Sequence, residues 1–476
     1  MVNMTIANII DVVNGEYYGP EDLLQEEVTQ ITTDSREVVE GGLFIALKGD
    51  RTDGHYYIPA TYEKGALCAI SEHVLDHEEE HAYIVVADAR TALKELAEFY
   101  RKQLSLTVVG ITGSVGKTST KEAIASVLSE KYRVLKTEGN FNNEIGVPLT
   151  IFRLTEEDEV AVIEMGISEF GEMHRLSQMV RPDICVITNI GTCHLENLID
   201  RDGVLRAKSE IFDFMNHEGT IILNGDDDKL TTIGSIYGRE PDFFGTVDES
   251  LDVYGDHIEQ LGLYGSRFVL HDALGSCSVE VPVPGEHMVT NALAAAAVGV
   301  TMGLTNEEIA EGIRKFTSLP GRNHIIVSDN YTILDDCYNA NPMSMRAATE
   351  VLCSAKGRKV AILGDMGELG SGEERLHYEL GEYVGASQVD LLLCVGTLSK
   401  SMKEGFITGR NQKLLDSGLT PQESMEKANA CVIHYENIGK LYDELFNLLV
   451  KDDAILVKAS HFMGFDQIVH LLDQGA

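Results

Sequence analysis

The chain has 476 residues, more than one hydrophobic core usually supports, so we expect about two to four domains. Lysine and arginine number 38 against 76 aspartates and glutamates, a formal net charge of -38, which argues against nucleic acid or an anionic membrane surface as the main partner. The eight cysteines contain no Cys-x-x-Cys pair, so neither a zinc ribbon nor a disulfide scaffold is indicated, and we expect reduced thiols.

The first 14 residues lack the basic start, long apolar core and small-residue cleavage pattern of a secretory signal. The longest uncharged apolar run, 292–304, is shorter than the roughly 20 residues needed to cross a bilayer, so we interpret it as a buried helix. These features predict a soluble protein that is not embedded in a membrane, and we expect it in the cytoplasm.

Residues 1–103 alternate short apolar strands with polar turns. We expect strands at 28–33, 42–47, 66–70 and 83–87 and helices at 58–64 and 91–101, the pattern of a small mixed α/β domain. Ser35 and Arg36 follow the first of these strands. Their hydroxyl and guanidinium groups suit a phosphate or diphosphate, although such a turn is more often a helix cap or a solvated loop.

A glycine-rich turn at 110–120 connects an apolar strand, 106–111, to an amphipathic helix, 121–128. Such a turn directs several backbone N–H groups at one anion, while Lys117 adds a charge and Thr118 offers a hydroxyl to Mg²⁺. The strict motif has a glycine where Ile111 stands, so the spacing is a variant, and an incidental flexible turn is the alternative. The predicted ligand is a nucleoside triphosphate, bound by Gly113, Ser114, Val115, Gly116, Lys117, Thr118 and Ser119.

Further apolar strands at 160–163, 184–187 and 220–223 alternate with helical segments, which indicates a parallel sheet covered on both faces. Ligands of such sheets lie beyond the carboxyl ends of the strands. Glu164 and His194 follow two of these strands, so both are candidates to face the triphosphate and its magnesium. From its position alone, Glu164 is equally well explained as an ordinary acid at a strand end.

Three other polar positions of this region have two interpretations each. Asn140 and Asn143 lie in a polar segment, 137–148, whose amides suit recognition of a polar ligand, with a turn-rich connection as the alternative. Lys208 lies among apolar and small residues of a predicted helix, 206–212. Its surroundings alone favour a surface lysine whose stem packs against the protein.

A domain boundary is expected near Leu319-Pro-Gly-Arg322, followed by strands at 331–335, 359–363, 389–395 and 454–458 with helices between them. After the first of these strands, Pro342 can begin a helix and the nearby asparagines can cap it or bind a ligand. We therefore predict an α/β protein of three domains. They are a small mixed α/β domain at 1–103, a central phosphate-loop ATPase domain with a parallel sheet at 104–318, and a Rossmann-like α/β domain at 319–476.

Taken together, these motifs resemble the Mur ligase family over all three predicted domains. The resemblance implies an ATP-dependent amide synthesis in which a substrate carboxylate becomes an acyl phosphate and an amine then displaces phosphate. It is carried by Gly110-x-x-Gly-x-x-Gly-Lys-Thr118, Thr137-x-Gly-Asn-x-Asn-Asn143, Glu164-Met-Gly166, the run from Thr188 to His194, Ala207-Lys-Ser-Glu-Ile211, Pro284-Gly-Glu-His287 with Asn291, Pro320-Gly-Arg322 and Asp336-x-Tyr-Asn-Ala-Asn-Pro342.

The resemblance also implies roles for single residues. Thr118 and Glu164 would hold one Mg²⁺, and His194 with Lys208 would hold a second, because the matching lysine is carbamylated in the family. The catalytic residues would be Lys117, Glu164, His194 and Lys208. Nucleotide contacts are implied for Asn291, Arg322 and Asp336, and substrate contacts for Ser35, Arg36, Asn140, Asn143, Tyr338, Asn339 and Asn341.

The implied substrates are UDP-N-acetylmuramoyl-tripeptide and D-alanyl-D-alanine. Ser35 and Arg36 would contact the uridine-diphosphate end of the first. The implied reaction belongs to peptidoglycan precursor synthesis in the cytoplasm, and we expect a monomer. Three positions depart from the family pattern: His324, Cys337 and His461 replace a glutamate, a serine and an arginine. They leave a variant dipeptide open, and the third residue of the tripeptide, diaminopimelate or lysine, is also open. The alternatives are a ligase of the family that adds another amino acid or dipeptide, and a nucleotide-dependent assembly protein without ligase chemistry.

Overall fold

The computed structural model describes residues 1–49, 52–75 and 81–474, in which the strands form three sheets that follow one another along the chain. Each sheet is covered by helices. The prediction of a three-part α/β chain is therefore confirmed. None of the helices in the described ranges contains an apolar stretch long enough to span a membrane.

The first sheet has five strands within the described parts of 1–103. Its elements are α1 Ile6–Val13, β1 Glu16–Tyr18, β2 Ile31–Thr32, β3 Leu43–Ile45, α2 Ile58–Tyr62, β4 Cys68–Ser71, β5 Ala82–Val85 and α3 Ala89–Arg101. The strand order is β1-β5-β4-β3-β2, with β1 antiparallel and the other strands parallel. Helix α3 begins where the side chain of Asp88 accepts a hydrogen bond from the Thr91 N–H, and it packs beside α1 and buries Leu93 and Leu96 in the hydrophobic core.

The second sheet contains the glycine-rich turn and has nine strands, all within the described stretch 104–318. The elements of this unit are β6 Thr107–Thr112, α4 Lys117–Leu128, β7 Val134–Lys136, α5 Gly146–Ile151, β8 Val160–Glu164, α6 Glu172–Val180, β9 Ile184–Ile187, α7 Leu195–Leu198, α8 Arg201–Ser209, β10 Thr220–Asn224, β11 Asp242–Gly245, β12 Val253–Gln260, β13 Ser266–Asp272, β14 Gly275–Val281, α9 Glu286–Thr301 and α10 Asn306–Lys315. The strand order is β14-β13-β12-β11-β10-β9-β6-β8-β7.

This sheet is parallel from β7 to β12, as the apolar runs predict, but β13 and β14 continue it as antiparallel strands. The sequence did not predict this extension, because β12 to β14 alternate buried and exposed residues and contain no continuous apolar run. The apolar run at 292–304 lies largely in α9, whose residues 291–299 are buried, so the expected buried helix is confirmed.

The third sheet has six strands, all within the described stretch 319–474. Its elements are β15 His324–Val327, β16 Tyr331–Asp335, α11 Pro342–Ser354, β17 Lys359–Gly364, α12 Glu373–Ala386, β18 Leu391–Val395, α13 Ser399–Asp416, α14 Pro421–Ala430, β19 Val432–Tyr435, α15 Ile438–Tyr442, α16 Leu445–Leu448, β20 Asp453–Lys458 and α17 Asp466–Gln474. The order is β15-β16-β20-β17-β18-β19, and only β15 is antiparallel. The four predicted strands correspond to β16, β17, β18 and β20.

Helices α12 and α13 approach each other at glycines spaced four residues apart in each helix. A Cβ placed on Gly409 would lie 2.0 Å from the carbonyl oxygen of Glu382, and the other three positions are equally crowded by backbone. The backbones therefore touch where a side chain would otherwise separate them. The glycines are Gly381 and Gly385 in α12 and Gly405 and Gly409 in α13.

Candidate functional site

The glycine-rich turn follows β6 at the centre of the second sheet, and hydrogen bonds from the loop after β9 fix its backbone. The side chain of Asn189 accepts a bond from the Val115 N–H (2.9 Å) and donates one to the Val115 carbonyl (3.0 Å). A Cβ on Gly113 would lie 1.9 Å from the Thr188 hydroxyl, so this close approach requires glycine. Lys117 donates to the Gly113 carbonyl at 2.8 Å. The chain itself thus holds the amides of the turn in place.

Two buried oxygens beside the turn, Thr118 Oγ1 and Glu164 Oε2, lack a hydrogen-bond partner among the described residues, as does Thr112 Oγ1 at the end of β6. The other oxygen of Glu164 accepts a bond from the Asn142 side chain at 2.8 Å. A hydroxyl and a single carboxylate are ligands that Mg²⁺ takes together with phosphate oxygens and water. In the described ranges, no three His, Cys, Asp or Glu side chains form a metal site by themselves. The two unpartnered oxygens therefore fit an ion that arrives with a nucleotide.

Both oxygens belong to residues that line a cavity of about 690 Å³ between the second and third sheets. This volume lies in the usual range for small-molecule sites. The predicted site residues of the second unit that line the cavity are Ser114, Val115, Gly116, Lys117, Thr118, Ser119, Asn140, Asn143, Glu164, His194 and Asn291. From the third unit, it collects Arg322, Asp336, Tyr338, Asn339 and Asn341.

Four predicted residues do not line this cavity: Gly113, Lys208, Ser35 and Arg36. Lys208 is 1% exposed, and its burial lowers its pKa to about 8, with the nearby charge of Lys117 acting in the same direction. The expectation of a surface lysine, drawn from the local sequence alone, is therefore wrong. Helix α8, which contains Lys208, packs beside α6 and α7, a contact that the local sequence does not specify.

Ser35 and Arg36 lie in the loop between β2 and β3 of the first unit. The guanidinium of Arg36 is 86% exposed and pairs with Asp34 at 2.6 Å, and this hydrogen bond lowers the pKa of Asp34 to about 2. The ammonium of Lys64 donates to the carbonyls of Ser35 (2.8 Å) and Arg36 (3.0 Å). Two cationic side chains therefore lie at this loop, Arg36 from the loop itself and Lys64 from the residues after α2.

The third unit reaches the cavity through the loop after β16. Asp336 accepts hydrogen bonds at both carboxylate oxygens, from Lys458 Nζ (2.6 Å) and from the Asn323 N–H (2.9 Å). Lys458 is 2% exposed and also donates to the Asn339 carbonyl. Because both oxygens of Asp336 are engaged within the unit, this loop is held in one shape.

Side chains of the second and third units also meet directly. His194, in a left-handed conformation with φ of 50°, places its Nδ1 2.6 Å from a carboxylate oxygen of Glu368. This hydrogen bond holds the pKa of Glu368 below its usual range. The side-chain amide of Asn323 donates to the Pro284 carbonyl at 2.5 Å. These contacts join the second and third units beside the cavity, which His194 and Asn323 both line.

The three residues that depart from the family pattern lie outside the cavity lining. The ring of His461 is 5.3 Å from that of Tyr338, and His324 begins the edge strand β15. Cys337 is buried, which raises the pKa of its thiol. Tyr338 itself lines the cavity and stacks under Arg322, whose guanidinium carbon is 3.9 Å from the ring centre.

Three family descriptions match the chain in order. They are the Mur ligase family catalytic domain over residues 27–101, the Mur ligase middle domain over 111–299 and the Mur ligase glutamate ligase domain over 321–461. The chain belongs to the Mur ligase family. The family matches follow the three sheets, and the cavity lies between the parts matched by the second and third.

Relatives of this family agree with the assignment over nearly the whole chain. The UDP-N-acetylmuramoyl-tripeptide--D-alanyl-D-alanine ligase of Bacillus subtilis (strain 168) is 35% identical over 98% of both chains, and that of Escherichia coli (strain K12) is 37% identical over 86% of this chain and 90% of its own. A crystal structure of MurF from Acinetobacter baumannii superposes with a TM-score of 0.87 at 33% identity, covering 99% of each chain. MurF ligase from Thermotoga maritima, solved with ADP, gives 0.77 at 27% identity, covering 94% of this chain and 97% of its own.

Asn142 and Lys458 both make contacts in the site that their positions in the sequence do not predict. Asn142 lies inside the Asn-rich segment and holds Glu164. Lys458 is 122 residues from its partner Asp336. Their residue types were visible, but the pairing of residues so far apart depends on how the sheets assemble.

Proposed function

We propose that this Mur ligase joins D-alanyl-D-alanine to UDP-N-acetylmuramoyl-tripeptide by ATP-dependent amide synthesis through an acyl phosphate. The observation that carries the proposal is the shared cavity, in which the glycine-rich turn and Glu164 face Arg322, Tyr338 and the asparagines of the third unit. Two relatives support the proposal: the UDP-N-acetylmuramoyl-tripeptide--D-alanyl-D-alanine ligases of Bacillus subtilis and Escherichia coli are 35% and 37% identical to this chain.

ATP would bind with its phosphates at the glycine-rich turn. Lys117, Thr118 and Ser119 at the start of α4 line the cavity there, and their backbone N–H groups with the ammonium of Lys117 would neutralise the triphosphate. The Asn291 side chain lies beside Gly116 of the turn and accepts a hydrogen bond from the Thr120 hydroxyl at 3.1 Å. The ADP complex of the Thermotoga maritima relative supports the choice of nucleotide.

The main obstacle to the first step is the repulsion between the tripeptide carboxylate and the γ-phosphate. Lys117 and the amides of the turn would hold both anions at reacting distance and neutralise the charge that develops between them. Mg²⁺, when bound, would add a divalent charge at the phosphate oxygens. Thr118 and Glu164 would hold that ion through the two unpartnered oxygens.

A second ion is proposed at His194, with Lys208 as a carbamate. The hydrogen bond that His194 Nδ1–H donates to the Glu368 carboxylate leaves Nε2 available to a ligand. Burial favours the neutral amine of Lys208, which is the form that reacts with carbon dioxide. A carbamate would convert this buried amine into an anionic oxygen donor.

The third unit would bring the amine and exclude water from the acyl phosphate. Arg322, Tyr338, Asn339 and Asn341 line the cavity from that side and would contact the reacting ends of the substrates. We assign 1–103 to the uridine-diphosphate end of the substrate, through Ser35 and Arg36, 104–318 to ATP, and 319–476 to the ligation step. We propose that the chain works as a monomer in the cytoplasm.

The proposal is tested by phosphate release from ATP with one component omitted at a time. We expect release only when ATP, Mg²⁺, a UDP-muramyl tripeptide and D-alanyl-D-alanine are all present, with both the diaminopimelate and the lysine tripeptide assayed. A panel of other dipeptides and single amino acids then identifies the amine. Phosphate release that needs neither peptide substrate would support an assembly protein instead, and release with a different amine would support another ligase of the family.

A further inference from the structure

A second lysine of helix α4, Lys121, lies one helical turn beyond Lys117 and therefore on the same face of the helix. Its side chain is fully buried, at 0% exposure, and does not line the cavity. A buried ammonium requires compensating negative charge, because its transfer from water is costly.

Two carboxylates lie near the Lys121 ammonium. Glu122 Oε1 is 3.1 Å away, and Glu164 Oε2 is 3.8 Å away. The ammonium makes no well-oriented hydrogen bond with a described residue, so both contacts act through charge. Glu122 has a second cationic partner, Lys136, whereas Lys121 is the only cation in the described ranges that forms an ion pair with Glu164.

The oxygen of Glu164 that faces Lys121 is the one that lacks a hydrogen bond. The opposite oxygen is fixed by Asn142, and the backbone N–H of Glu164 is fixed by the Thr137 hydroxyl at 3.0 Å. Without Lys121, the free oxygen would be a buried anion with no charge partner in the absence of an ion. The side chain would then turn toward water in the cavity, which costs less than remaining buried and unpaired.

We propose that Lys121 is a positioning residue for Glu164: from outside the cavity wall it holds the carboxylate oxygen that Mg²⁺ would bind. The inference rests on the proposed role of Glu164 as a Mg²⁺ ligand. Lys121 touches neither the nucleotide site nor the cavity, so its effect passes through Glu164. Residues that orient a metal ligand in this way commonly change metal affinity by about 10- to 100-fold when they are replaced.

The test measures how Mg²⁺ strengthens binding of a non-hydrolysable ATP analogue to the full chain, by isothermal titration calorimetry at a series of Mg²⁺ concentrations and in EDTA. K121M should raise the Mg²⁺ concentration needed for half of the effect by about 10- to 100-fold. Affinity for the analogue in EDTA should stay unchanged. The matched control, K136M, removes the other cation beside Glu122, at a side chain 41% exposed, and should leave the Mg²⁺ dependence unchanged.

A double-mutant cycle separates this role from a structural one. In an E164Q background, K121M should have no further effect on the Mg²⁺ dependence. An equal effect in both backgrounds, or no effect in the wild type, would overturn the proposal. If circular dichroism shows that K121M does not fold, K121M/E122M, which removes the buried pair together, is measured by the same criteria.

Failure of the proposed function gives a different result from failure of this inference. If E164Q keeps the wild-type Mg²⁺ dependence, Glu164 is not the ligand, and the inference falls with that role. If E164Q loses the Mg²⁺ dependence while K121M and K121M/E122M both retain it, the role of Glu164 stands and only the inference about Lys121 is refuted.

Discussion

Asn189 gives the most direct prediction about how the nucleotide site is preorganised. Its side chain makes two hydrogen bonds to the backbone of Val115, at 2.9 and 3.0 Å, and its own carbonyl accepts a third from the Ser114 N–H at 3.0 Å. Asn189→Ala removes the two side-chain bonds and keeps the backbone bond. Each bond contributes about 0.5–1.5 kcal/mol, so the turn loses about 1–3 kcal/mol of support.

That loss should appear as weaker ATP binding, because the phosphates must then order the turn as they bind. At 1.4 kcal/mol for each factor of ten, we expect about a 5- to 150-fold rise in the Kd of an ATP analogue. The assay is calorimetric titration with Mg²⁺ present. The matched control is Asn429→Ala, which removes an exposed bond within α14, 2.8 Å long, and should leave the Kd unchanged. A variant at position 189 that folds and binds the analogue as tightly as the wild type would refute the reasoning.

Three further changes test separate parts of the structure. Gly409→Ala should lower the free energy of unfolding in urea by about 1–3 kcal/mol, because its Cβ would lie 2.0 Å from the Glu382 carbonyl oxygen. The control, Gly234→Ala, has no atom within 4 Å of the added Cβ and should change stability by less than about 0.5 kcal/mol. Equal effects would contradict the close helix contact. Enzyme depleted of carbon dioxide should lose activity, and bicarbonate should restore it. Lys208→Ala should be inactive with or without bicarbonate. A wild-type enzyme that does not respond to bicarbonate would contradict the carbamate at Lys208. Arg36→Ala should raise the KM for the UDP-linked substrate by roughly 10- to 100-fold, from the loss of charged hydrogen bonds, and leave the KM for ATP unchanged; a matched rise in both would contradict its assignment.

The sequence predicts the parts of this fold that depend on local pattern. Strands β6, β8 and β9 are continuous apolar runs because both faces of the sheet are covered, and the turn between β6 and α4 needs glycines at fixed positions. Strands β13 and β14 are half exposed, so their residues alternate and resemble surface loops. Local pattern therefore identifies the core of the second sheet and omits its extension.

In the candidate site as well, residues that belong to local motifs could be predicted, whereas features that depend on packing between distant elements could not. Thr118 and Glu164 could be predicted because each follows a recognisable strand and motif, and the structure places both in one cavity. The burial of Lys121 and Lys208 could not be predicted, since a lysine in a helix has the same neighbours in sequence whether its face is covered or exposed. Only the packing of other elements over α4 and α8 distinguishes these lysines from surface residues.

Oxygen isotopes show whether the γ-phosphoryl group passes to the tripeptide carboxylate before the amide forms. UDP-muramyl tripeptide labelled with ¹⁸O in its terminal carboxylate is incubated with ATP, Mg²⁺ and D-alanyl-D-alanine, and the products are analysed by mass spectrometry. A reaction through an acyl phosphate places one ¹⁸O atom in each released phosphate and the other in the new amide. Unlabelled phosphate would contradict the account, because the phosphoryl group would then have passed to water rather than to the carboxylate.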